Sequence, residues 1–133
     1  MEKMDIKQYQ DQITLGTNLN SNLFSDLAEK LIKEISRNSR GETNKTTQLR
    51  KFYDELVMWA DKVGEDKDSF KKAEPFIQMI RAKAAYAKGR KYIDYNFYSI
   101  LDDLIRKIKD PLSLQHAKLF FEAMLGYKKA LEK

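Results

Sequence analysis

The sequence predicts an all-α protein, a compact bundle of about five amphipathic helices. Three observations carry this. Apolar residues recur at three- and four-residue steps, the period of one helix face. No stretch keeps the strict alternation of a half-buried strand. Glycine and proline are scarce, 5 and 2 in 133 residues, which suits long helices with few turns. The length fits one domain with a real core. That domain is placed at 21–133, after a flexible N-terminal arm at 1–20.

Residues 1–20 are rich in Gln, Asn, Asp and Thr and lack a period, so a flexible arm or a short, weak helix is expected. Ser21 is the candidate cap of the first helix, with Leu23, Phe24, Leu27, Leu31, Ile32 and Ile35 on its inner face. A polar loop from Arg37 to Asn44 ends it. Thr46 or Thr47 would cap the second helix, because a threonine hydroxyl can accept from the free N–H groups of a first turn. Leu49, Phe52, Tyr53, Leu56, Ala60 and Val63 form its stripe, Trp59 widens it, and Gly64 is a plausible stop.

Glu65–Ser69 reads as a charged connector, and Phe70–Ala73 as a turn before the third helix. Pro75 fits that helix's first turn, where its missing N–H costs nothing. Phe76, Ile77, Ile80, Ala84 and Ala87 are expected inside, with Gly89 as the end. A fourth helix spans roughly Asp94 to Lys109. Asp110-Pro111 then breaks the chain, since proline disfavours the helical conformation of the residue before it. The fifth helix runs from about Leu112, burying Leu114, Ala117, Phe120, Phe121, Met124, Tyr127 and Leu131.

Composition excludes several function classes. With no cysteine, disulfides, zinc-finger thiolates and cysteine nucleophiles are out. That usage is compatible with a reducing cytoplasm. No run approaches the roughly 20 apolar residues of a membrane span. Met1 opens a polar stretch of mixed charge, so no signal peptide is expected. His116, the single histidine, has neighbours Gln115, Ala117 and Lys118 that offer no metal ligand, so a structural role is expected. Asp102 and Asp103 point about 100° apart on a helix and pair more naturally with Arg106 and Lys107. The isolated glycines make no phosphate loop. No catalytic residue, metal site or cofactor is expected, and the chain reads as a non-enzyme.

Charge is the informative remainder. The net charge is +5, and residues 45–93 hold 12 basic against 7 acidic side chains. Lys45, Arg50 and Lys51 flank the start of the second helix, where free N–H groups favour an anion. Arg81, Lys83, Lys88, Arg90 and Lys91 fall in an eleven-residue stretch without an acid. Lys83 and Arg90, seven apart, share a face with Met79 and Tyr86. Tyr86 is weighed between packing its ring in the core, the favoured reading, and stacking on a base. Together these mark a surface for a polyanion, bound with counterion release.

Three blocks resemble one family in order and spacing over about residues 45–130. They are Thr46-Thr47-Gln48-Leu49-Arg50-Lys51-Phe52-Tyr53, Ile80 through Arg90 with its Tyr86-Ala87-Lys88-Gly89-Arg90 end, and Phe120-Phe121-Glu122-Ala123-Met124-Leu125-Gly126-Tyr127-Lys128. They resemble the small α-helical subunit of type III-A CRISPR (Csm) effector complexes. The resemblance implies a cytoplasmic, non-catalytic subunit that stacks in several copies beside other subunits. It further implies contact with the backbone of guide RNA and target RNA in antiviral defence. Carried onto this sequence, it makes Arg50, Lys51, Lys83, Arg90 and Tyr86 candidate contacts, extended by Lys45, Arg81, Lys88 and Lys91. The competing reading is a helical adaptor whose basic surface takes an acidic protein, without nucleic acid. A small-molecule enzyme would need converging polar groups that the sequence does not assemble.

Overall fold

The computed structural model describes residues 4–132. The described residues form α-helices and one π-helical turn, with no strand. The α-helices are α1 (Ile6–Gln12), α2 (Ala28–Asn38), α3 (Thr46–Val63), α4 (Lys67–Gln78), α5 (Ile80–Gly89), α6 (Tyr95–Arg106) and α7 (Pro111–Leu131). The five expected helices are present, the third divided into α4 and α5. The addition is α1. The long α7 packs against both α2 and α3, α5 packs against α6, and α1 docks on α6. Phe97, Phe120 and Phe121 are fully buried at the centre. The rings of Phe97 and Phe121 meet edge to face with centroids 5.8 Å apart, a favoured geometry for aromatic pairs.

Of the flexible arm or short, weak helix expected over 1–20, residues 6–12 form the short helix α1, and this stretch is fastened to the bundle. Residues 1–3 of that stretch lie outside the described residues. Asp5 caps α1 by accepting the Gln8 N–H at 3.1 Å. Met4, Tyr9 and Ile13 are buried in the core. The Lys107 ammonium donates to the carbonyls of Ile13, at 2.8 Å, and Gln10. The Tyr9 hydroxyl donates to Glu34 on α2. Burial and that carboxylate push the phenol above its ordinary range. His116 also serves here: its Nδ1 accepts the Gly16 N–H at 3.0 Å. Burial pushes its pKa down, which keeps the acceptor nitrogen unprotonated.

Several boundaries differ from the expectation. Ser21 caps nothing; the π-turn Leu23–Leu27 begins after Asn22, which makes no side-chain cap bond, and runs directly into α2. α4 starts earlier than expected because Asp66 accepts both the N–H and the hydroxyl of Ser69, at 3.0 and 2.6 Å. Pro75 therefore lies inside α4, not at its first turn. Met79 separates α4 from α5, and its N–H still reaches the Pro75 carbonyl at 3.1 Å. Phe76, expected inside, is 57% exposed because α4 turns Phe70, Ala73 and Ile77 inward instead. Leu131 is exposed and Tyr127 only half-buried. α7 itself opens as expected, with Pro111 in its first turn and Asp110 and Ser113 forming a reciprocal cap.

The end of α5 is closed by a lysine rather than by Gly89. The Tyr92 N–H bonds the Ala87 carbonyl at 2.9 Å and the Lys91 N–H bonds the Lys88 carbonyl at 3.0 Å. This is the Schellman pattern, and its left-handed residue is Lys91, with φ 64°. Gly89 is the last helical residue, two positions early. A side chain in the left-handed region costs free energy that glycine avoids. Lys91→Gly should therefore raise stability by about 0.5–1 kcal/mol, after the entropy glycine adds to the unfolded chain. The urea midpoint measures this, and an unchanged or lower midpoint would contradict the assignment.

Candidate functional site

The site begins with the loop between α2 and α3. Asn44 adopts a left-handed conformation, φ 59°, and is only 3% exposed. Asparagine tolerates that conformation better than most side chains. Its N–H donates to the Tyr92 carbonyl at 2.9 Å. Its side-chain oxygen accepts the Asp94 N–H at 3.0 Å, and its amide donates to the Ser39 hydroxyl at 2.8 Å. Ser39 in turn donates to the Ile35 carbonyl at the end of α2. One buried side chain thus ties the end of α2, the start of α3 and the turn between α5 and α6. Lys45 directly follows one bonded residue, and Lys91 directly precedes the other. The two basic segments of the sequence therefore meet at one end of the bundle.

The charges within them divide into two groups. Lys45 pairs with Glu42. Arg81 donates to Asp102 at 2.8 Å across α5 and α6, and only 32% of its side chain is exposed. Arg106 donates to the same carboxylate at 2.7 Å. Burial alone would raise the Asp102 carboxyl, but the bonds from Arg106 and Arg81 outweigh it and hold it below its ordinary value. Lys83 contacts both oxygens of Glu55 on α3, at 2.9 and 3.1 Å. Asp103 pairs with Lys107 at 2.7 Å. Arg50, Lys51, Arg90 and Lys91 are exposed and Lys88 is half-buried. Among the described residues none of these has a carboxylate within ion-pair distance.

The expected threonine cap is absent. Lys45 occupies the cap position of α3 without a side-chain bond. The Thr46 hydroxyl donates instead to Glu132 at 2.6 Å, in the last turn of the chain. That bond first, and Lys128 beside it, hold the Glu132 carboxyl below its ordinary value. A carboxylate of the protein thus lies beside the first turn of α3.

Tyr86 is 64% exposed, contrary to the expectation of a core ring. The buried stripe of α5 is Ile80, Ala84 and Ala87, which lets the helix lie close to α6 and leaves Tyr86 outside. The Arg90 guanidinium donates to its hydroxyl at 3.4 Å. Arg90 also stands 5.7 Å from the centre of the Tyr92 ring. The Lys88 ammonium lies 4.6 Å from the Tyr98 ring and 5.8 Å from that of Tyr95. Cations over aromatic faces attract the ring quadrupole. Sequence reasoning missed Tyr92, Tyr95 and Tyr98. Their three-residue spacing directly after the basic run was the available signal.

Elsewhere, a groove of about 550 Å³ opens between the α3–α4 turn and the start of α7, lined by Gly64, Glu65, Lys67, Asp110, Pro111, Leu112 and Gln115. Its Asp110 is engaged in capping α7. Among the described residues no three metal-ligating side chains converge, and no helix is long and apolar enough to cross a membrane.

Comparison with known proteins agrees with the helix blocks. No curated protein and no solved structure matches the chain. The family model for Csm2 of type III-A matches residues 18–133, a span that takes in every helix except α1. The chain therefore belongs to the Csm2 family, the small structural subunits of type III-A CRISPR complexes.

Proposed function

We propose that this chain is a non-catalytic subunit that faces RNA in the type III-A ribonucleoprotein and works in antiviral defence. Its copies stack beside the other subunits and contact the backbone of guide RNA and target RNA. One observation carries the reading: the unpaired cations Arg50, Lys51, Lys88, Arg90 and Lys91 come from the two segments that Asn44 holds at one end of the bundle. Phosphate contact needs charge and shape, while base pairing with the guide supplies sequence. Lys45, Arg81 and Lys83 extend the surface but already hold carboxylates, so their contribution is smaller.

The triple substitution Arg50→Glu, Lys88→Glu and Arg90→Glu should weaken binding of single-stranded RNA about tenfold or more at low salt. Each lost phosphate contact should also flatten the salt dependence by about 0.7 in log–log slope. Lys83→Ala should change affinity far less. The helical circular dichroism should be intact in both. Equal binding by the triple variant would refute RNA contact at this face.

Stacking of copies is supported by an apolar surface away from that end. Phe76 and Met79 are 57% and 55% exposed. The Phe76 ring stacks on Trp59 with centroids 5.9 Å apart. Exposed apolar clusters of this kind mark protein contacts. Phe76→Ser combined with Met79→Ser should shift the sedimentation of the concentrated protein towards monomer. A wild-type chain that stays monomeric at all concentrations would overturn this surface as the stacking face.

A further inference from the structure

We infer that Tyr86 and Tyr95 form a stacking platform for unpaired bases of single-stranded RNA. This rests on the RNA reading above and adds base contact to backbone contact. Tyr86 and Tyr95 are 64% and 65% exposed, more than any other large hydrophobic side chain described. Two other tyrosines, Tyr9 and Tyr53, show what structural service looks like. Tyr9 is buried with its hydroxyl on Glu34. Tyr53 packs against Phe121 and donates to Glu122 at 2.7 Å. Tyr86 and Tyr95 are held differently: Arg90 donates to the Tyr86 hydroxyl at 3.4 Å, Lys88 lies 5.8 Å from the centre of the Tyr95 ring, and neither ring is buried.

That arrangement suits a nucleotide. A base has a π-face that a tyrosine ring can cover, and stacking tolerates any sequence. The phosphate of the same nucleotide needs a cation close by. Arg90 lies at hydrogen-bond distance from Tyr86, and Lys88 is 5.8 Å from Tyr95. The acid nearest in sequence, Asp94, is committed to the Phe97 N–H at 2.9 Å. Phe76 and Met79, the exposed apolar side chains that would serve a protein partner, lie at the end of α4 and just beyond it. A polyanion with flat aromatic groups fits the tyrosine end better than an apolar protein surface does.

The test uses the full chain and two labelled oligonucleotides at low salt, an oligouridylate and the same backbone with abasic sites. The wild type should bind the abasic strand about fivefold or more weakly, the loss expected for a base–aromatic stack. Tyr86→Ala with Tyr95→Ala should lower affinity for the intact strand by the same factor, leave the salt slope unchanged and bind the two strands equally. Tyr86→Phe with Tyr95→Phe should behave as wild type, because the ring and not the hydroxyl carries the contact. Equal binding of intact and abasic strands by the wild type would overturn stacking while leaving backbone contact standing. So would alanine variants that bind the intact strand normally, the result expected if these rings serve a protein partner. Failure of the wild type to bind either strand would overturn the RNA reading itself, and stacking with it.

Discussion

The Asn44 side chain is the constraint on which the candidate surface depends. It is a buried amide in a left-handed backbone, between a helix end, a helix start and a turn from a distant part of the chain. Each of its side-chain bonds replaces one that water would otherwise make. Losing the Asn44 oxygen would leave the Asp94 N–H without its acceptor, at a cost of about 1–3 kcal/mol for a buried donor. Asp94 also caps α6, so the same contact fixes where that helix begins. The start of α3, the end of α5 and the start of α6 are thereby set against one another by a single residue.

Around that point the protein sorts its positive charge. Arg81 and Lys83, at the start of the basic stretch, join α5 to α6 and to α3 through Asp102 and Glu55. Partly buried pairs of this kind spend their charge on holding helices together. Beyond them Lys88, Arg90 and Lys91 have no carboxylate partner among the described residues, and Lys88 and Arg90 lie against tyrosine rings. Glu132, beside Thr46, adds one negative charge at the edge of this surface.

Much of the fold is legible in the sequence because its signals are local. The stripes of α3, α6 and α7 follow the helical period, and Asp110-Pro111 carries both a stop and a cap. What escapes is set by distant partners. α1 has too few apolar residues for a period, and it docks because Lys107 reaches its carbonyls from 94 residues away or more. Phe76 adjoins Ile77 in sequence, and the packing of α4 against its neighbours α3, α5 and α6 decides which side chain faces out. The basic segments are plain in composition. Which cations are already paired is not, since Glu55 is 28 residues from Lys83 and Asp102 is 21 from Arg81. Asn44 reads in sequence as the last residue of a polar loop, and nothing local distinguishes it from its neighbours.

The central claim is that one uncharged side chain assembles the charged face. The direct measurement is the RNA affinity of Asn44→Ala, at low salt and at a temperature where the helical signal equals that of the wild type. The substitution leaves the net charge at +5 and touches no proposed contact. Affinity several-fold weaker than wild type is the predicted result, because the segments at 45–51 and 88–91 would no longer be held together. Unchanged affinity in a folded variant would contradict the account, showing that the basic segments act without the clamp.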